Sequence, residues 1–227
     1  MSETRSWLLA LDTATNTVVV AAGTPDGTLL GEERFEGRYR HSQELLPAVA
    51  RLVERLELRL GDLAGIVAGT GPGAFTGLRV GLATAKTLAH ELAVPVAGVA
   101  TSDALLADEP PGTVLLLPSG ARDRVAMALG RPPLIVHAGE SPGWSGGTAP
   151  ADVIAIDLDG RATAEALARG RAALERLPAA LLGLGAARIA AGDTDEPERL
   201  VPRYASPPRG APVERPEGGM AWSRDPR

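Results

Sequence analysis

Cysteine is absent from this 227-residue chain, which excludes disulfide bonds, thiol nucleophiles and thiolate metal ligands. Aromatic residues make up only 3% of the chain, so a hydrophobic core must be built from Leu, Val, Ile and Ala. No uncharged apolar run approaches the ~18–20 residues that a membrane span requires. No signal-peptide pattern precedes the first apolar run at Trp7. Together these absences predict a cytoplasmic α/β protein with no membrane partner.

Positive charge and clustered catalytic residues are also scarce. The net charge is −5, whereas an isolated nucleic-acid-binding protein is more often basic, so any contact with nucleic acid should be shared with a partner or confined to a local patch. The three histidines, His41, His90 and His137, lie far apart, and neither an HExxH motif nor a nucleophile elbow is present. The sequence therefore predicts no catalytic residue, no metal site and no cofactor of its own.

The first hundred residues alternate between strand and helix patterns. Three apolar, β-branched runs at residues 7–11, 17–22 and 29–35 are separated by short turn signals and predict an antiparallel meander. Helical spacing follows at 42–60 and 76–92, and short strands follow at 66–68 and 95–99. A meander followed by helix–strand–helix–strand is typical of a ribonuclease-H-like lobe with a mixed sheet.

The second half has a similar but weaker pattern. A helix is predicted at 102–107, strands at 113–117, 125–129, 134–137 and 153–156, and helical segments at 163–177 and 179–191. The related order of elements predicts a duplicated, two-lobed fold with a smaller, divergent second lobe. We expect an N-terminal, partner-binding lobe over residues 1–100 and a C-terminal lobe over 101–201. The Pro-, Gly- and Arg-rich tail over 202–227 should be flexible.

A glycine-rich turn leads into the second predicted helix. The turn contains Gly71, Pro72 and Gly73, and it matches neither a Walker A loop nor a GxGxxG fingerprint. It could hold an anion at the helix start or simply position the helix, and we favour the second role. Within the helix, small residues recur every four positions at Gly77, Gly81, Ala85 and Ala89. Because glycine inside a helix costs roughly 0.5–1 kcal/mol relative to alanine, this strip indicates a close approach by another element, either this chain's own sheet or another chain.

Three motifs occur together in a fixed order: Leu-Ala-Leu-Asp-Thr-Ala-Thr at residues 9–15, His-Ser-Gln-Glu-Leu-Leu-Pro at 41–47, and Gly-Pro-Gly-Ala-Phe-Thr-Gly-Leu-Arg-Val-Gly at 71–81. This combination resembles the TsaB (YeaZ) family, the partner subunit in bacterial tRNA threonylcarbamoyladenosine biosynthesis. The third motif is long and specific, and the match is close over about residues 7–100. In the second half, Gly120 stands where the family often has an aspartate, which puts any role of that aspartate in doubt here.

The resemblance implies a two-lobed fold of the actin/Hsp70/sugar-kinase (ASKHA) type and a non-catalytic scaffold. Such a subunit pairs with a TsaD-type catalytic subunit through its two N-terminal-lobe helices, and can form a homodimer through the same surface. With the TsaE-type ATPase, the complex transfers a threonylcarbamoyl group to the adenosine flanking the anticodon, so ATP, metal and tRNA would be bound through the partners. Asp12 and Thr13 would be a vestigial phosphate loop. The expected interface residues are Leu45, Val49, Leu52, Leu56, Gly77, Leu78, Gly81, Leu82, Ala85 and Ala89.

The main alternative is an active small-molecule kinase or ATPase of the ASKHA type. Such an enzyme would need Asp12 and a second phosphate loop in the other lobe, for which Ser119-Gly120 is a poor candidate. A metallopeptidase has no ligand set in this sequence.

Overall fold

The computed structural model describes residues 6–37, 40–140 and 152–204. Its first sheet has the order β3-β2-β1-β4-β5 and contains β1 (Trp7–Asp12), β2 (Thr17–Gly23), β3 (Leu29–Glu36), β4 (Leu63–Gly69) and β5 (Val96–Val99). The first three strands are antiparallel, and β4 and β5 are added in parallel, as the meander and the alternating pattern predicted. β1 and β2 are buried on both faces, which explains their nearly continuous apolar sequence.

Two helices cover one face of this sheet. Helix α1 (His41–Arg55) lies over β2 and β3, and helix α2 (Phe75–Glu91) lies over β4 and β1. The prediction that α1 continues to residue 60 is wrong, because Glu57 has a positive φ of 54° and ends the helix. Because proline is best tolerated in the first turn of a helix, the sequence favours a regular helix that begins about Pro47, and this expectation is also wrong, since α1 begins at His41. Pro47 cannot donate to the Gln43 carbonyl, but both residues are exposed, so water can satisfy that carbonyl.

The second sheet repeats the first on a smaller scale. It has the order β8-β7-β6-β9, with β6 (Val114–Ser119), β7 (Asp123–Met127), β8 (Leu134–Val136) and β9 (Val153–Ala155). β9 pairs in parallel with β6, just as β4 pairs with β1. Helix α3 (Thr101–Leu106) joins the two sheets along the chain. The predicted boundaries at residues 100 and 201 remain predictions, since one apolar core runs between the sheets.

A single helix, α4 (Ala164–Ala190), replaces the two helical segments predicted on either side of Pro178. Proline removes the N–H that would bond the carbonyl of Leu174, which normally interrupts a helix. Here Arg34 of β3 donates hydrogen bonds to the carbonyls of Leu174 at 3.1 Å and Glu175 at 2.8 Å. The helix therefore continues because a side chain from the first sheet satisfies the carbonyl that Pro178 leaves free. In the described part of the chain, no helix is both long enough and apolar enough to cross a membrane.

The predicted flexible tail lies outside the described residues from position 205 onward. Residues 193–204 form a segment, which we call the C-terminal strap, that crosses the ends of β4 and β5. The Asp195 N–H donates to the Val96 carbonyl at 2.8 Å, and the Arg203 N–H donates to the Thr70 carbonyl at 2.8 Å. Leu200 is buried against Gly98, where a Cβ atom would lie 2.5 Å from a Leu200 methyl carbon. The strap therefore follows a fixed path to Tyr204.

Candidate functional site

Asp12 lies at the end of β1 and is completely buried. Its Oδ1 accepts a hydrogen bond from the Ala14 N–H at 2.9 Å, and its Oδ2 accepts one from the Thr101 hydroxyl at 2.6 Å. A Cβ atom on Gly69 would lie 1.9 Å from Oδ2, so β4 closes the remaining side. Burial raises the pKa of Asp12 to about 6, against the opposing effect of these two hydrogen bonds. Both carboxylate oxygens are thus engaged inside the protein.

Thr101 connects Asp12 to the glycine turn. While its hydroxyl donates to Asp12, its oxygen accepts a hydrogen bond from the Gly71 N–H at 3.0 Å. Gly71 has a φ of 95°, a conformation that favours glycine, and the nearby Gly73 has no room for a side chain because its Cβ would lie 2.0 Å from the Ala14 carbonyl. These contacts fix the direction in which α2 leaves the turn.

Thr13 holds the start of α2 against β1. Its hydroxyl donates to the Gly77 carbonyl at 2.8 Å. A Cβ atom on Gly77 would lie 2.2 Å from the Thr13 carbonyl oxygen, and one on Gly81 would lie 2.2 Å from the Thr13 hydroxyl oxygen. The two helical glycines are therefore needed for contact within the chain itself.

The predicted interface residues lie on the inner faces of α1 and α2. Leu56 is half-buried with its methyl carbons against Gly31, and the other nine are buried. The inward-facing set comprises Leu45, Val49, Leu52, Leu56, Gly77, Leu78, Gly81, Leu82, Ala85 and Ala89. Their assignment as contact residues for a partner is therefore corrected: this chain's own sheet already covers them. Helical spacing identified a close-packed face but could not identify what packs on it.

The opposite faces of the same helices are open. On α1, Leu46 is 53% exposed and Ala50 is also exposed. Arg51 and Arg55 extend from one flank of α1 to Glu33 of β3, so Leu46 and Ala50 lie on the flank that faces α2. On α2 the outward positions are Arg79, Ala83 and Thr87, which recur every four residues. We call this surface the outer helix face.

An aromatic cluster at the start of α2 was not predicted from the sequence. Phe75 stacks on Tyr204 of the C-terminal strap, with ring centroids 5.0 Å apart and an interplanar angle of 27°. The guanidinium of Arg79 lies 3.9 Å from the centre of the Phe75 ring, and its Nε donates to the Tyr204 hydroxyl at 3.1 Å. Phe75 and Tyr204 are too far apart in sequence for any local pattern to connect them.

Within residues 6–37, 40–140 and 152–204, no group of three or more His, Cys, Asp or Glu side chains could hold a metal ion.

His41 lies at the first turn of α1 with its Nε2 buried and without a hydrogen-bond partner, and burial lowers its pKa. The weak candidate for a second phosphate loop is Ser119-Gly120, where Ser119 ends β6 and Gly120 begins the turn to β7. The Gly120 carbonyl accepts a hydrogen bond from Arg161 at 3.4 Å.

Comparison with known proteins finds similarity in sequence over a little less than half of the chain. A family model described as TsaD, tRNA N6-adenosine threonylcarbamoyltransferase, matches residues 36–140. The tRNA threonylcarbamoyladenosine biosynthesis protein TsaB of Bacillus subtilis is 36% identical over 101 residues, which cover 44% of each chain. An uncharacterized protein of Mycobacterium tuberculosis is 35% identical over 101 residues, 44% of this chain and 48% of its own. The matched segment thus spans about half the length of the curated relatives.

Two solved structures share the fold over most of the chain. YeaZ from Pseudomonas aeruginosa superposes with a TM-score of 0.64 at 23% identity, covering 88% of this chain and 99% of that one. A protein described as similar to peptidase YeaZ from the same organism gives 0.65 at 24% identity, covering 88% and 100%. The two-lobed ASKHA-type α/β fold is therefore confirmed, and so is the resemblance to the TsaB (YeaZ) family.

Proposed function

We propose that this chain is a non-catalytic scaffold subunit of the cytoplasmic complex that transfers a threonylcarbamoyl group to the adenosine flanking the anticodon of tRNA. Its direct partner is a TsaD-type catalytic subunit, a TsaE-type ATPase joins through the complex, and ATP and metal are bound by those partners. The proposal is supported by the three sequence motifs, by the similarity to the TsaB protein of Bacillus subtilis and by the shared fold of YeaZ.

The observation that carries the scaffold role is the outer helix face. Leu46 exposes 53% of its surface, and the small residues Ala50 and Ala83 are also exposed, on two helices whose inner faces are already buried against the sheet. Small side chains allow a helix of another protein to approach closely, and an exposed leucine supplies apolar area that such a helix can bury. The partner therefore packs on the face opposite to the residues first expected from spacing. A second copy of this chain can use the same face when the partner is absent.

The competing hypothesis is that this chain performs catalysis itself, as a transferase or as an ASKHA-type kinase. The family model that matches residues 36–140 is named for the transferase, and this name gives the reaction that the chain would catalyse under the competing hypothesis. The geometry around Asp12 argues against it. Its carboxylate accepts hydrogen bonds from Thr101 and Ala14 and is closed off by Gly69, so a phosphate or a hydrated metal ion has no room beside it.

Size-exclusion chromatography with light scattering, using a purified TsaD-type subunit, tests the scaffold role. Leu46→Glu and Ala83→Glu each place a charge on the outer helix face and should weaken the heterodimer at least tenfold, while thermal melting of the isolated chain stays unchanged. Leu129→Glu is the matched control, since Leu129 is 55% exposed in the second lobe and should bind like wild type. Binding by both outer-face variants at wild-type affinity would place the interface elsewhere.

A reconstituted assay of threonylcarbamoyladenosine formation separates the two hypotheses. With the partners present, omission of this chain should abolish product, and the two outer-face variants should reduce it in proportion to lost heterodimer. ATP turnover by this chain alone that disappears in Asp12→Ala would instead establish it as an enzyme.

A further inference from the structure

Arg79 has a guanidinium group that is fixed in position but only partly used. The group lies 3.9 Å from the centre of the Phe75 ring, and its Nε donates a hydrogen bond to the Tyr204 hydroxyl at 3.1 Å. Its Nη1 and Nη2 groups make no hydrogen bond and no ion pair with any residue that the structure describes. Arg79 is therefore an ordered cation with two unused donor groups.

The arginines beside and on helix α1 differ from Arg79 in this respect. Arg51 and Arg55 pair with Glu33, the second of them at 2.9 Å, and Arg40 pairs with Glu44 at 2.6 Å. Those cations are balanced by carboxylates of the same chain. Arg79 has no such carboxylate among the described residues, although the whole chain carries a net charge of −5. A partner for it must therefore come from another molecule.

The two aromatic rings hold Arg79 ready for such a partner. Phe75 is 40% exposed and stacks on Tyr204, which is placed by the C-terminal strap through the Arg203 N–H bond to the Thr70 carbonyl. A side chain that is already ordered loses little conformational freedom on binding. Ring area that is buried together with a charge also keeps water away from it, which strengthens an ion pair formed there.

The position of Arg79 connects this cluster to the outer helix face. Arg79 lies one helical turn after Phe75 and one turn before Ala83, on the outward side of α2. Among the residues that define the outer helix face, Arg79 alone carries a charge. A protein that covers Leu46 and Ala83 would therefore bring its own side chains next to this guanidinium. A carboxylate matches it best, since the two groups form parallel, charge-assisted hydrogen bonds.

We propose that Arg79, positioned by Phe75 and Tyr204, binds an Asp or Glu carboxylate on the surface of the TsaD-type subunit. The inference rests on the proposed scaffold function, and it adds the charge of the partner surface and a part for the C-terminal strap in binding. A phosphate of tRNA would also pair with a guanidinium. The carboxylate is favoured because the surface continues with apolar and small residues, whereas a nucleic-acid site needs several cations.

Isothermal titration of the full chain with a purified TsaD-type subunit tests this contact. Arg79→Met should raise the Kd about tenfold or more, because it leaves the partner carboxylate buried without a cation. Arg79→Lys keeps the charge but loses the planar fork, so its Kd should lie between those of Arg79→Met and wild type. Arg171→Met is the matched control: Arg171 is exposed on α4, which covers the opposite face of the first sheet, and its loss should leave the Kd unchanged.

The aromatic rings and the salt dependence supply readouts that a general loss of structure would not produce. Phe75→Leu should raise the Kd about threefold or more, whereas Phe75→Tyr, which keeps the ring, should bind nearly as wild type does. Raising NaCl from about 50 to about 500 mM should weaken wild type several-fold more than Arg79→Met, because only wild type has the ion pair to screen. Thermal melting of each variant should match wild type.

The possible outcomes separate this inference from the scaffold function. If wild type does not bind the TsaD-type subunit, the scaffold function fails and this contact fails with it. If wild type binds and Arg79→Met binds equally well, or shows the same salt dependence, only the Arg79 contact is overturned. An equal loss in Arg171→Met would overturn it too, since the effect would then be one of overall charge. Titration with an unmodified tRNA transcript covers the phosphate alternative: a loss in Arg79→Met that occurs only with the transcript would assign Arg79 to RNA and overturn the proposal.

Discussion

The hydroxyl oxygen of Thr13 occupies the space where a side chain on Gly81 would begin, since a Cβ atom there would lie 2.2 Å from it. Because the same hydroxyl donates to the Gly77 carbonyl, Thr13 cannot move aside without losing a buried hydrogen bond. The contact explains why α2 tolerates two glycines in its interior.

Gly81→Ala should therefore destabilise the isolated chain by about 1–3 kcal/mol, the usual cost of overpacking, although alanine is the better helix former. Chemical denaturation of the purified chain measures this. Gly183→Ala is the matched control: Gly183 lies within α4 with open space around its Cβ position, so the same substitution should raise stability by about 0.5–1 kcal/mol. An unchanged stability in Gly81→Ala, with loss only of partner binding, would restore the idea that a partner covers this strip.

The sequence predicted the order of strands and helices well because the first half has strong apolar periodicity and clear turns. It also predicted that the Gly77–Gly81 face is close-packed, since glycine inside a helix is destabilising unless another element approaches closely. It could not show that Thr13 is the neighbour, because that contact joins residues 64 positions apart. Tyr204 was missed for the same reason: its role depends on Phe75, which only the folded strap brings near.

Arg34 and Pro178 form a second long-range relationship that sequence spacing could not reveal. Arg34→Ala should destabilise the chain by about 2 kcal/mol, because the carbonyl left free by Pro178 loses its charged donor in a partly buried site. In the Pro178→Ala background, the restored N–H can bond the Leu174 carbonyl, so Arg34→Ala should cost less there.

A double-mutant cycle in urea measures the coupling between these two positions, which we expect to be about 1 kcal/mol. Strictly additive free energies would mean that the Arg34 contact with Leu174 does not compensate for the proline. If α4 frays near its middle, helix content measured by circular dichroism should fall in the Arg34→Ala single variant and not in the double variant with Pro178→Ala.

His41 should make the folded chain sensitive to mild acid. Burial lowers its pKa below 6.5, and its Nε2 has no acceptor, so the unfolded chain binds a proton more readily than the folded chain does. The contribution of His41 to stability should therefore fall as the pH drops below about 6.5. Urea midpoints at pH 7.5 and 5.5 for wild type and His41→Asn measure this; the wild type should lose more stability on acidification than the variant, and equal losses would contradict the assignment.

Asp12 should act in the opposite direction. Its pKa rises from 3.8 in the unfolded chain to about 6 in the folded chain, so the folded state binds more protons between these values and stability falls as the pH rises through this window. A shift of this size corresponds to about 3 kcal/mol at neutral pH. Asp12→Asn removes the ionisation while keeping the shape, so the stability of the variant relative to wild type should grow between pH 4 and pH 7.

Asp26→Asn is the control, because hydrogen bonds from Thr24 and Thr28 lower the pKa of that exposed carboxyl and move its effect below this window. A flat difference for Asp12→Asn would mean that the carboxylate stays ionised in the folded chain, which would return Asp12 to consideration as a group that works on a phosphate or a metal ion.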